Sequence, residues 1–78
     1  MLHIVIKTLE GKPQEQLQDA AEQVAAALSK AMNKAEKYIS VSVEEYSHGE
    51  WEGVYNEFVA GKDNVFVKPG YTNPKTFE

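Results

Sequence analysis

The sequence predicts a small α/β (α+β) domain built on one βαβ unit, with a parallel two-stranded sheet, a long covering helix and a short C-terminal strand. Three observations carry this. Leu2, Ile4 and Ile6 alternate with His3, Val5 and Lys7, the period-two pattern of a strand. Leu17, Ala20, Ala21, Val24, Ala27, Leu28 and Ala31 recur at three- and four-residue spacing, one apolar helix face. Ile39, Val41 and Val43 then alternate with Ser40, Ser42 and Glu44. A strand, a long helix and a strand in that order pair in parallel through a right-handed crossover.

The first strand opens at the second residue and runs into "LEGKP", where Gly11 permits a turn and Pro13 suits the first helical position. The helix is rich in Ala, so it can lie close to the sheet, on the Ile4/Ile6/Val41/Val43 face. "NKAEKY" closes it with polar residues. After "SHGEW" the segment "WEGVYNEF" reads as a short helical turn carrying Trp51, Val54, Tyr55 and Phe58. "NVFVKPGYTNP" reads as a third strand, Val65 to Lys68, stopped by Pro69-Gly70.

All 78 residues form a single domain, 1–78, with a thin core. There are no cysteines and two histidines, so neither disulfides nor a dedicated metal site is expected, and no cofactor is. The formal charge is −4 and every basic residue is Lys, which argues against nucleic-acid partners and removes guanidinium forks from carboxylate recognition. No apolar run approaches the roughly 20 residues that span a bilayer, and the N-terminus lacks the pattern of a secretory signal. The expected compartment is the cytoplasm. A sheet of two or three strands with a helix on one face leaves the other face and both edges open. The expected remedy is a homo-oligomer; the alternative is a monomer whose tail folds back over the sheet.

An amino terminus at the first residue of a strand is held in place, unlike most chain ends. An α-amine titrates at about pH 8 in peptides, and an apolar setting moves such a group toward neutrality, where a general base works best. His3, on the face away from the helix, is either a proton shuttle at a pocket mouth or a packed or interfacial histidine. Glu44 and Glu45 are strand neighbours that point to opposite faces, so they do not act jointly. Tyr71 either closes over a neighbour's pocket or anchors the tail.

The strand from residue two, "LEGK" with a following "EQ", the long helix, the second strand ending in "EE" and an aromatic after "HGE" together resemble the 4-oxalocrotonate tautomerase family. "KPGY" is similar to the ending of a dimeric branch of small tautomerases, which points to a dimer, with a hexamer as the alternative. The resemblance covers essentially the whole chain, through order and spacing. It implies an N-terminal proline, exposed by removal of the initiator Met, that moves a proton between carbon and oxygen in keto–enol isomerisation. It also implies arginines that hold substrate carboxylates and an aromatic that keeps the pocket apolar.

Carried over by position, Leu2 stands where that proline would be, Lys12 where the loop arginine would be, Ser40 where the strand-borne arginine would be, and Trp51 at the aromatic position. Trp51 fits, and Lys12 keeps a cation as a point charge. Ser40 and Leu2 depart from the pattern. A bulky second residue favours retention of Met1, whose primary amine would be the substitute base, one residue or about 3.8 Å away. Two functions follow. One is an isomerase acting on a small carboxylate-bearing enol or 2-oxo acid, with its site around residues 1–2, Lys12 and Trp51. The other is a non-catalytic binding module, or the partner subunit of a heteromer.

Overall fold

The computed structural model describes residues 1–75. Strand β1 (Leu2–Leu9) pairs in parallel with β2 (Ile39–Tyr46), and α1 (Gln14–Ala31) makes the crossover between them. The register sets Leu2 opposite Ile39, Ile4 opposite Val41, Ile6 opposite Val43 and Lys7 opposite Glu44. Like residues thus face like: the apolar pairs lie beneath α1, while His3, Val5 and Lys7 share the other face with Ser40, Ser42 and Glu44.

The turn into α1 uses Gly11 at φ +116°, a conformation that side chains rarely adopt. Pro13 is extended and forms the N-cap rather than the first helical residue, its carbonyl accepting from the N–H groups of Gln16 and Leu17. At the other end Asn33 takes φ +51°, and the N–H groups of Lys34 and Asn33 return to the carbonyls of Ser29 and Lys30. That is a Schellman closure with Asn in the left-handed position usually given to Gly.

The inward face of α1 is narrower than its spacing predicts. Leu17, Ala21, Val24, Ala25 and Leu28 are half-buried, whereas Ala20, Ala27 and Ala31 are exposed. A methyl group buries little area, so Ala periodicity marks a face only loosely, and the larger Leu and Val side chains set it.

A 3₁₀ turn (Glu36–Tyr38) leads into β2, and β2 leads directly into α2 (His48–Val54), which continues as one π-helical turn over Tyr55–Val59. Ser47 starts α2 with a reciprocal capping box: its hydroxyl accepts from the Glu50 N–H, and its own N–H donates to the Glu50 carboxylate. Among the described residues, the one deep in the interior is Val54, 7% exposed, where α2 meets the sheet face opposite α1.

The expected third strand does not form. Residues 65–68 are irregular, with Phe66 94% and Val67 89% exposed. A strand exists only through a ladder, and this segment meets neither edge of the β1–β2 pair, so its extended preference has nothing to bond. The segment after Ala60 packs on α2 instead of over the sheet: the Trp51 indole N–H donates to the Tyr71 hydroxyl at 3.1 Å, and the rings of Tyr55 and Tyr71 lie 5.6 Å apart. Tyr71 anchors the tail. Among the described residues, no helix is long and apolar enough to cross a membrane.

Candidate functional site

The sheet face opposite α1 carries a polar ladder that the register dictates. At the start of β1 the His3 ring sits between two β2 hydroxyls, with Nδ1 2.7 Å from Ser40 Oγ and Nε2 3.2 Å from Ser42 Oγ. Ser40, at the position where the resemblance implies an arginine, is thus engaged with His3. Four residues along β1, the Lys7 ammonium donates to Glu44 Oε1 at 2.5 Å and to the Tyr46 hydroxyl at 3.1 Å, while the Tyr46 hydroxyl itself donates to Glu44 Oε1 at 2.7 Å. The same ammonium lies 4.4 Å from the centre of the Phe58 ring and 5.5 Å from that of Tyr46, favourable distances for a cation against a π face.

Beside this cluster, α2 and its π turn flank the sheet and border an open hollow of about 610 Å³. Val5 and Lys7 come from β1, Glu44 from β2, and Trp51, Val54, Phe58 and Val59 from α2 and its π turn. The π turn matters here: the Ala60 N–H reaches back to the Tyr55 carbonyl at 2.8 Å, five residues away, and the widened turn brings Phe58 and Val59 to the same wall. Tyr46 meets Trp51 edge to face at 6.4 Å. The result is a mostly apolar recess with one ion pair in its lining.

Glu44 is held below the usual carboxylate range, first by the hydrogen bond from Lys7 and then by that from Tyr46; Lys7 is held above the usual lysine range by the same two partners. The linkage signs are opposite. Stability from the lowered Glu44 is present above its ordinary value of 4.5 and is lost as pH falls through the depressed value. Stability from the raised Lys7 is complete below 10.5 and is lost as pH climbs through the elevated value. Following the Glu44 carboxyl carbon by NMR tests this. Its midpoint is expected below the usual range in the unaltered protein, and shifted up toward it in Lys7→Gln, where only the Tyr46 hydrogen bond remains.

Of Met1, Leu2, Lys12, Ser40 and Trp51, the residues assigned to the site from sequence, only Trp51 lines this hollow. Met1 is 94% exposed at the start of β1, and Leu2 is half-buried in register with Ile39. Lys12 is exposed in the turn beside Gly11, and Ser40 faces His3. These four stand at the strand starts and in the turn, and none of them lines the Trp51 recess. Sequence reasoning missed Lys7, Glu44 as its partner, and Phe58 as a wall. The available signal was Lys7 on the His3/Val5 face, with Glu44 on the matching face of a parallel strand. Among the described residues no group of three or more His, Cys, Asp or Glu is placed to hold a metal ion.

No family model matches this sequence, and no curated protein does. The solved structures do contain a relative: the crystal structure of YwhB, described as a homologue of 4-oxalocrotonate tautomerase, superposes with a TM-score of 0.60 at 30% identity. The match covers 77% of this chain and 88% of that one.

Proposed function

This chain belongs to the 4-oxalocrotonate tautomerase family, and on that premise we propose that it is a cofactor-independent isomerase moving a proton between carbon and oxygen in a small carboxylate-bearing enol or 2-oxo acid. The observation that carries the proposal is the placement of β1: its ladder starts at Leu2, paired with Ile39, so the Met1 nitrogen hangs one residue from a pinned backbone. In the ketonisation direction the Met1 ammonium gives a proton to the enol carbon. The enol O–H releases its own proton as C=C becomes C=O, and the amine is then reprotonated. Lys12 attracts the substrate carboxylate as a point charge, and Trp51 supplies an apolar wall.

Because Met1, Leu2 and Lys12 are not in the lining of the hollow that Trp51 lines, the proposal puts the complete site between copies, in a homodimer or, alternatively, a hexamer. Two features support association. The radius of gyration is 13.9 Å, against about 11.5 Å for a compact domain of this length. Met1, Phe66 and Val67 stand open to solvent.

The test is ketonisation of phenylenolpyruvate by the purified oligomer, followed by loss of enol absorbance. A rate above the uncatalysed one is expected. One observation favours a second reading, a non-catalytic binding module or the partner subunit of a heteromer: the Leu2 nitrogen is an amide and has no basicity to offer. A clean oligomer with no rate selects that reading.

A further inference from the structure

We propose that Lys7 and the Tyr46 hydroxyl form a carboxylate-binding site that the chain's own Glu44 occupies, and that a small monocarboxylate with an apolar body displaces Glu44 to bind in the hollow beside α2.

The geometry is that of an anion site already filled. Two donors from different strands converge on one oxygen, Glu44 Oε1, and the donors also touch each other, Lys7 Nζ to Tyr46 Oη at 3.1 Å. The two charged partners are unequally covered. The Lys7 side chain is 22% exposed and the Glu44 side chain 48%, so the cation is fixed while the carboxylate has a way out to water. Phe58, at 4.4 Å from the ammonium, holds the cation in place from the other side.

Exchange of one carboxylate for another leaves both donors satisfied, and the departing Glu44 is solvated where it already meets water. The polar terms therefore nearly cancel. What remains is the body of the ligand, which is removed from water against Val5, Trp51, Val54 and Phe58, in a recess whose volume is ordinary for a small-molecule site. A cationic ligand does not fit this account, because the ammonium of Lys7 stands at the same wall. Trp51 is common to this hollow and to the proposed isomerase site, but here the carboxylate is held by Lys7 and Tyr46 rather than Lys12, and the titration reads binding alone, so this site stands or falls apart from the isomerase proposal.

The test titrates 3-phenylpropionate, and separately its neutral amide, into the unaltered protein, Glu44→Gln and Glu44→Gln/Lys7→Gln. The indole N–H signal of Trp51, the sole tryptophan, reports occupancy. Removing the internal competitor is expected to tighten acid binding on the order of tenfold in Glu44→Gln, and adding Lys7→Gln to abolish that gain. The amide is expected to bind all three proteins alike. Loss of fold cannot imitate a gain in affinity, and in the unaltered protein, where Glu44 offsets the ligand's carboxylate, acid and amide are expected to bind alike. Glu44→Gln binding the acid no more tightly than the unaltered protein would overturn the proposal. So would equal binding of acid and amide by Glu44→Gln, or a gain that survives Lys7→Gln.

Discussion

Replacing Leu2 with proline, in protein whose initiator Met has been removed, is expected to raise the rate of phenylenolpyruvate ketonisation by ~10²–10⁴-fold, the range a positioned general base contributes. The expectation rests on the proposed site at the start of β1. Leu2 opens β1 in register with Ile39, and proline is tolerated at the first residue of a strand. What the chain lacks there is a basic nitrogen. The substitute proposed above, the Met1 amine, is primary and displaced by about 3.8 Å, a shift of the kind that costs ~10² in rate. Intact mass establishes which residue is first, and the absorbance assay reads the rate. An unchanged rate in Leu2→Pro of confirmed mass would mean that no pocket forms around the start of β1.

The second large effect concerns the core. Val54→Ala is expected to cost about 2 kcal/mol, from two buried methyl-sized groups and the cavity they leave. For a domain of this size that corresponds to a fall in Tm of ~8–16 °C. No other described residue is as deeply buried, and Val54 joins α2 to the sheet, so the loss falls on the contact that shapes the hollow. The Trp51 fluorescence transition should follow the same midpoint as far-UV circular dichroism, since Trp51 and Val54 share one helix. A shift under about 2 °C would show that α2 is held by something other than this contact.

The βαβ frame was legible because its signals are periodic and local. Ile4, Ile6, Val41 and Val43 alternate, Gly11 marks a turn, and the Leu17, Val24 and Leu28 spacing marks a helix face. Ala20, Ala27 and Ala31 were misplaced because Ala carries too little area to define a face. The strand expected at Val65–Lys68 failed for a different reason: extended propensity is local, but a ladder partner is not. The start of α2 is marked in the sequence by Ser47 and Glu50, the S-x-x-E spacing of a capping box.

Lys7 and Glu44 were each visible as polar strand residues. Their partnership depends on a register that pairs residue 7 with residue 44, and on α2 flanking both. Trp51, which the family resemblance puts at the aromatic position, lines the hollow. The resemblance carried no information on Lys7 or Phe58, which owe their meeting to tertiary packing.

The most direct measurement is the enol-ketonisation rate of the native gene product before and after selective acylation of its α-amine, with N-terminal sequencing of the same sample. The account predicts a starting Met, a rate above background, and loss of that rate when the α-amine is blocked while the lysines stay free. A rate that survives blocking, or no rate from the unblocked protein, would contradict it.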